Sequence, residues 1–575
     1  MKVLSITFNL CIWILFSSNP LNAYKEAIRY NELKAELALR GITLPNGSGV
    51  AVTQVEAEMN SGVGNYLPNS QDSQFSGKII IDQSGGGSSS SHATNVGRLL
   101  YGNTQSISPG IQTIDAYSAD SFINSAWRTG NPPIEPNPLQ NHSWVGWLES
   151  SGLNSSDMTL RMDYAAERDS FLPIAGLYNS DYGDQNIPSA IPPIFASTYN
   201  GISVGVSDST HRTGRTQYDG NGRTKPEIVA PSAYTSYATP MVTSAAAFLI
   251  DAVNGVSSAA DPLILKATLL AGADKAISAD WNQTPTRPID EVYGAGELDI
   301  YESFFIQKAN QQAAGSTLQR RGWNLANLSS NSSHNYTITV PEGFELHDLS
   351  ALVTWYRQVT YASNYWWKPK TFTPSLANLS LQLSGANITT YISDSPVDNI
   401  EHIWRGDGQA LSAGSYTLTV ATDEPVEYAL AWRSRLYQDY ALWQASSFSS
   451  ETILELQDPE DDPDGDGFAN LLEQALGGDP ETRETNIAPQ LSIIETEGEN
   501  YLQISFARPT HDNAIEYTVE TTTDLNGSWS NSTDDVVLIS ITPEVDGMER
   551  YTYQRTAPIS NHVKAFLRVA VSQRQ

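Results

Sequence analysis

Cysteine is all but absent. The single residue, Cys11, lies in the first segment, so the rest of the chain offers neither a disulfide nor a thiol nucleophile. Basic residues are scarce, with 33 Lys and Arg against 64 Asp and Glu and a formal net charge of −31. Nucleic-acid binding needs a basic footprint and is excluded on that ground. Strong acidity suits a soluble secreted protein, and carboxylates also hold calcium. Long hydrophobic runs are missing as well. The apolar stretch Val3 to Phe16 is too short to span a bilayer, and no later one is longer. Between Met1-Lys2 and Ala23 it reads as a signal peptide over residues 1–23. The expectation is secretion, extracellular or periplasmic, with no transmembrane anchor. Stability outside the cell then rests on packing and on bound metal.

With 575 residues, 40% of them hydrophobic and 10% aromatic, the chain is globular and too long for one core. Two to four domains are expected. The stretch that organises the rest is Tyr234-Thr235-Ser236-Tyr237-Ala238-Thr239-Pro240-Met241-Val242, followed by small residues from Thr243 to Val253 with helical character. A serine at a helix N-terminus has an exposed hydroxyl, free backbone N–H groups and a positive dipole end beside it. Those are the needs of a nucleophile that creates an oxyanion. The same pattern also suits a plain N-cap serine on a buried helix. Pro240 is expected near the first turn, where a missing N–H costs least.

Upstream lies Gly222-Arg223-Thr224-Lys225-Pro226-Glu227-Ile228-Val229-Ala230-Pro231. Together the two stretches resemble the nucleophile region of the subtilisin family, where K-P-E-I-V-A-P-G precedes G-T-S-M-A-T-P-H-V. Tyr234 stands where the family has Gly, and Met241 where it has His. The resemblance implies that Ser236 is the catalytic serine. It also gives meaning to Gly49-Val50-Ala51-Val52-Thr53-Gln54-Val55-Glu56, a strand that ends in the family on the aspartate orienting the histidine; Glu56 occupies that place. A glutamate can accept the imidazole N–H in the same role. Ser91-His92-Ala93-Thr94-Asn95-Val96-Gly97 resembles the family's H-G-T-H-V-A-G helix start, with His92 matching the catalytic histidine. The order acid, histidine, serine is the subtilisin order.

Three further segments follow from the same resemblance. Asn141-His142-Ser143-Trp144-Val145-Gly146 has the place of the strand that pairs with substrate, so Ser143, Trp144 and Gly146 are expected to bind it; Trp144 suits a core position equally. Leu172 to Ser180 reads as a strand and turn in which Asn179 matches the asparagine that donates to the oxyanion, a turn asparagine being the alternative. Tyr293 to Ile300 resembles the family's closing segment before its last helix. Alternating strands and helices from Gly47 to about Asn310 predict an α/β region, a subtilisin-like parallel sheet with helices on both faces. Tyr24 to Arg40 has helical spacing.

Past Gln311 the pattern becomes alternating, as in Tyr336-Thr337-Ile338-Thr339-Val340 and Tyr416-Thr417-Leu418-Thr419-Val420. Short strands of this kind predict β-sandwich accessory domains. Val397-Asp398-Asn399-Ile400-Glu401-His402 and Gly414-Ser415-Tyr416-Thr417-Leu418 resemble the jelly-roll modules found after secreted bacterial peptidases. Trp366-Trp367 reads as strand packing, with sugar or protein binding as the alternative.

Asp462-Pro463-Asp464-Gly465-Asp466-Gly467-Phe468-Ala469-Asn470-Leu471-Leu472-Glu473 forms a second motif. In a twelve-residue calcium loop, oxygen ligands fall at positions one, three, five, seven, nine and twelve, with glycine at six. Asp462, Asp464, Asp466, the Phe468 carbonyl, Asn470 and Glu473 meet that pattern, so structural calcium is expected here. The stretch resembles dockerin-like and thrombospondin-type calcium linkers; a solvated acidic linker is the alternative.

The sequence thus predicts a signal peptide (1–23), a subtilisin-like peptidase domain (24–310), a β-sandwich (311–445), a calcium-binding linker (446–485) and a β-rich C-terminal domain (486–575). The expected function is that of a secreted serine endopeptidase acting on protein or peptide substrates through Glu56, His92 and Ser236. The rival is an inactive subtilisin-like fold serving adhesion or binding. A carbohydrate hydrolase is disfavoured, because no carboxylate pair stands in a recognisable context.

Overall fold

The computed structural model describes residues 23–59, 62–127, 130–146, 155–179, 194–216, 222–254, 258–363, 370–406, 408–561 and 564–574. The expected signal peptide, apart from Ala23, and the Trp366-Trp367 pair lie outside the described residues.

Seven short strands form one parallel sheet: β1 (Val52–Glu56), β2 (Ile79–Asp82), β3 (Thr113–Ser118), β4 (Leu139–His142), β5 (Leu172–Gly176), β6 (Ile202–Val206) and β7 (Ile228–Ala230). Their spatial order is β7-β6-β5-β4-β1-β3-β2. β1, β4, β5 and β6 are buried at every residue. Such runs form when both faces of a sheet are covered. On one face Leu139, Leu172 and Val204 share a core with Phe248, Leu265, Leu269 and Phe304. Those residues belong to the helices Thr235–Ala252, Pro262–Gly272 and Ile300–Lys308. On the other face Val55 and Ala175 meet Met158, Met162 and Ala165 of the helix Ser155–Asp169. Phe248 is fully buried, and truncating such a residue to alanine costs about 3–5 kcal/mol.

The helices are numbered in chain order: α1 (Tyr30–Leu39), α2 (Ser91–Tyr101), α3 (Ser155–Asp169), α4 (Thr235–Ala252), α5 (Pro262–Gly272) and α6 (Ile300–Lys308). The stretch from Tyr24 to Arg40, expected to be helical, is helical in two pieces. A short turn, Ala23–Ala27, precedes α1, and Arg29 between them is left-handed with φ 58°. Arg29 bonds Glu32 at 2.8 Å and Asp299 at 2.9 Å, which offsets the backbone cost. Leu33 and Leu37 of α1 are buried in the sheet core.

Two four-stranded antiparallel sheets follow and face each other. Their strands are β8 (Arg321–Leu328), β9 (Ser332–Val340), β10 (Glu345–Trp355), β11 (Leu379–Gly385), β12 (Ile388–Ser393), β13 (Ile400–Arg405), β14 (Gly414–Thr422) and β15 (Val426–Tyr437). One sheet runs β8-β15-β10-β13 and the other β9-β14-β11-β12. Leu379, Leu381 and Leu383 point inward with Tyr416, Leu418 and Val420 into a common core, the period-two pattern of a sandwich. The sandwich is seated on the α/β layer by buried polar contacts. Arg357 pairs with Asp163 of α3. Ser350 Oγ donates to Ala271 O at 2.8 Å, and Lys275 Nζ lies 3.1 Å from the same hydroxyl. Beyond the sandwich, residues 490–573 add a four-stranded antiparallel sheet and a two-stranded pair.

Candidate active site

The carboxyl ends of β1, β4 and β5 lie side by side, the edge at which open parallel sheets bind ligands. Glu56 closes β1. Its side chain is 1% exposed, and its Oε2 lies 2.8 Å from His92 Nδ1. The other oxygen is also held, because Gln54 Nε2 donates to Oε1 at 3.0 Å. Gln54 is itself fixed. Its Nε2 donates to Ala93 O at 3.0 Å, and its Oε1 accepts from the Tyr101 hydroxyl at 2.7 Å. The glutamate therefore sits in a buried chain running from Tyr101 through Gln54 to His92. Neither Gln54 nor Tyr101 carries a sequence signal, since each acts through a contact outside its own motif.

His92 is the second residue of α2, which starts at an N-cap: Ser90 Oγ accepts from Ala93 N at 3.2 Å. Burial of the ring works against the imidazolium, but the hydrogen bond and charge of Glu56 outweigh it, and the His92 pKa is raised above its ordinary value. The Tyr237 ring stacks on the imidazole with centroids 5.9 Å apart. Tyr234, largely exposed, meets Tyr237 edge-on.

Ser236 is the second residue of α4 and is half-buried. The first turn of that helix leaves its N–H groups unequal. Tyr237 N and Ala238 N both return to Tyr234 O at 3.0 Å. Thr235 N donates instead to Asn179 Oδ1 at 2.8 Å, and the Thr235 hydroxyl reaches the same oxygen at 3.1 Å. Because two donors converge on Oδ1, the Asn179 amide is oriented with its Nδ2 donor on the other side. Among the described residues Ser236 Oγ makes no hydrogen bond, to His92 or to any other group. Pro240 is the sixth helical residue rather than part of the first turn as expected. Lacking an N–H, it withholds the helical bond to the carbonyl four residues back, that of Ser236.

The expected substrate-binding residues follow β4. Ser143 is buried, and Asn141 Nδ2 donates to its hydroxyl at 2.9 Å. Asn141 Oδ1 in turn accepts from Thr243 of α4 at 3.0 Å, tying this edge to the serine helix. Trp144 is half-buried and packs edge-on against Phe195 and His142. Gly146 passes close to it, since a Cβ there would lie 3.2 Å from the indole ring. His142 is buried in this aromatic cluster, and burial lowers its pKa to about 3, so it stays neutral.

The acidic loop lies away from this edge. One ligand oxygen from each of Asp462, Asp464 and Asp466 falls within 4.8 Å of the others. Asp462 accepts from Gly465 N at 2.9 Å and from Gly467 N at 3.0 Å, and both glycines have positive φ, at 71° and 98°. Helix formation begins at Asn470 and places Glu473 inward, fully buried. Phe468 is half-buried against the C-terminal core. Both Glu473 oxygens, Asp464 Oδ2 and Asn470 Oδ1 are buried without a hydrogen-bond partner among the described residues. Burial, and then the charges of Asp464, Asp466 and Asp462, push the Glu473 carboxyl up to about 8.

No protein-family model matches the chain, and no curated protein is similar to it. Solved structures do resemble parts of it. The patellamide maturation protease PatA is 17% identical, with 45% of this chain and 97% of that one covered and a TM-score of 0.30. The epidermin leader peptide processing serine protease of Staphylococcus aureus is 15% identical, covering 51% and 81% with a TM-score of 0.30. The pre-peptidase C-terminal domain of a Bacillus anthracis collagenase is 11% identical, covering 22% and 100% with a TM-score of 0.15.

Proposed function

We propose that the chain is a subtilisin-like serine endopeptidase that cleaves protein or peptide substrates through an acyl-enzyme. The observation that carries this reading is the 2.8 Å contact between buried Glu56 and His92 Nδ1, beside a helix N-terminus that presents Ser236. With Nδ1–H donating to Glu56, Nε2 is the basic nitrogen of a neutral His92 and takes the Ser236 proton as Oγ attacks the carbonyl. Glu56 stabilises the imidazolium so formed. The Ser236 N–H and Asn179 Nδ2 supply the two donors for the oxyanion. His92 then gives its proton to the leaving amine, and water, activated by the same imidazole, hydrolyses the ester. Ser143, Trp144 and Gly146 line the side on which substrate lies.

A second reading, an inactive fold serving adhesion or binding, is favoured by the absence of a bond between Ser236 Oγ and His92. Such bonds are long in many free enzymes and tighten on the substrate. A fluorophosphonate probe separates the readings. Labelling of the wild type that is lost in Ser236→Ala and His92→Ala supports the peptidase; no labelling of folded wild type overturns it.

We further propose that the acidic loop holds structural calcium. A buried carboxylate with both oxygens unpartnered is costly, as are the Asp464 and Asn470 oxygens beside it. Hard oxygens in this number suit calcium. Asp462, Asp464, Asp466, Asn470 and Glu473 would hold the ion by their side chains and Phe468 by its carbonyl. The ion would fix the linker and take no part in the reaction. The signal-peptide reading of residues 1–23 makes the enzyme a secreted one, which appearance of the mature protein in the medium or periplasm would test.

A further inference from the structure

Residues 207–212 turn back from the end of β6 and pair with the segment that carries Asn179. Asn179 and His211 form an antiparallel bridge, and Arg212 N donates to Tyr178 O at 2.8 Å. Backbone bonds hold the start of that returning segment, Ser207 N to Ala230 O at 3.2 Å and Ser209 N to Val206 O at 3.1 Å, and the His211 ring holds its far end. It is 4% exposed. Its Nδ1 accepts from Val206 N at 3.1 Å, and its Nε2 donates to Val292 O at 3.0 Å. The ring lies flat against the strand where Gly205 leaves room; a Cβ on that residue would come within 2.5 Å of Nε2. Burial lowers the His211 pKa to about 4, so the ring is neutral near pH 7. A proton on Nε2 and a lone pair on Nδ1 is the one neutral form that satisfies both partners.

We infer that His211 is a positioning residue for the oxyanion site: it fixes the backbone at Asn179 and thereby the aim of the Asn179 amide. This rests on the reading of Asn179 as an oxyanion donor. The side chain of Asn179 is anchored from one direction by Thr235 N. Its main chain is anchored from the other by the segment that His211 pins between Val206 and Val292. With both anchors Nδ2 has one direction; with the second lost, the asparagine is held by its side chain and, two residues back, by the Leu177 N–H on Val204 O. An oxyanion donor works only within a few tenths of an ångström of its place, and a displacement near 1 Å costs up to about a hundredfold.

The test is a double-mutant cycle in the full-length protein, read as kcat and KM on an internally quenched peptide that the wild type cleaves. His211→Leu, Asn179→Ala and the double variant are compared after thermal melts show each to be folded. The expected result is a fall of about ten- to a hundredfold in kcat for His211→Leu, with KM within about threefold. In the Asn179→Ala background the same change is expected to cost nothing further. A kcat loss in the double variant equal to the product of the two single losses overturns the inference while leaving the oxyanion role of Asn179 in place. An unchanged kcat in Asn179→Ala overturns both, since a group that contributes nothing cannot be positioned for catalysis. If the leucine variant fails to fold, His211→Asn takes its place. It keeps an acceptor for Val206 N and loses the donor to Val292, so a smaller loss is expected, again absent in the Asn179→Ala background and again refuted by additivity.

Discussion

Replacing Glu56 by glutamine should do more than remove a charge, and the structure says why. The position of Oε1 faces the Gln54 amide donor at 3.0 Å, and Gln54 cannot turn over freely because its own carbonyl accepts from Tyr101 and its amide also donates to Ala93 O. A glutamine at position 56 must therefore point its carbonyl at Gln54 and its NH₂ at His92. Facing a donor 2.8 Å away, Nδ1 of His92 becomes the acceptor and the proton moves to Nε2. The imidazole then has no lone pair to offer Ser236. The equivalent change in a serine protease lowers kcat by about 10⁴, or roughly 5.5 kcal/mol of transition-state stabilisation. Glu56→Asp keeps the charge but withdraws the carboxylate by about 1.5 Å, so the loss should be nearer a hundredfold. The orientation argument has its own check. In a Gln54→Leu background the new amide is free to flip, and the penalty of Glu56→Gln should shrink. The assay is kcat on a quenched peptide at pH 8, with the His92 tautomer read from its ¹⁵N shifts. Glu56→Gln activity within tenfold of wild type, or a penalty unchanged by Gln54→Leu, would refute the reasoning. The pH profile gives an independent reading. Glu56 raises the His92 pKa, so losing its charge should move the acid limb of kcat/KM to lower pH. The sign for folding is that of a raised histidine: the pair stabilises fully below the unfolded pKa of about 6.5 and loses that contribution as pH climbs through the folded value.

Other outcomes follow from the same geometry. Asn179→Ala should lower kcat by roughly 10²–10³-fold with little change in KM, measured on the same peptide. Calcium should raise the thermal midpoint of the wild type and not that of Glu473→Ala, while kcat at low temperature stays unchanged in chelator; at a hundred times its Kd the ion contributes about 2.7 kcal/mol. Because the Glu473 carboxyl is raised to about 8, the metal-free fold binds a proton that the unfolded chain has lost above about 4.5. Its stability should fall as pH rises between those values, and the calcium effect should be larger at pH 8 than at pH 5, seen by differential scanning calorimetry. Arg357→Ala leaves Asp163 buried without its guanidinium partner and should cost about 3–5 kcal/mol, seen as a lowered melting temperature that a neighbouring exposed arginine-to-alanine change does not reproduce.

Much of this was legible along the chain because it is local. The run Leu172–Gly176 is apolar up to its closing glycine, Val52–Glu56 is a short strand closed by a carboxylate, and His92 and Ser236 each open a helix within a recognisable motif. The acidic loop is spelled out in consecutive residues. What stayed hidden depends on distance. Tyr101 supports Gln54 from 47 residues away, and Asn141 reaches Thr243 across 102. His211, one of eight histidines, stands in a polar turn with nothing nearby to mark it. The break at Arg29 was invisible for the same reason, since one of its two compensating partners is Asp299. Pro240 was misplaced because the helix starts at Thr235, and a motif does not state where the first turn begins.

The helix Tyr30–Leu39 has one more partner. Arg40, just past its end, bonds Glu549 at 2.7 Å, across 509 residues, and Leu39 packs against the core of the last domain. The helix Tyr30–Leu39 therefore waits for the strand Met548–Arg555 before its contacts are complete. Such long-range closure is slow, and it cannot begin before that strand has been made. A molecule cut between the sandwich and the last domain would leave Leu39 and Arg40 facing water at its opposite end. Truncation is thus announced far along the chain from where it occurs.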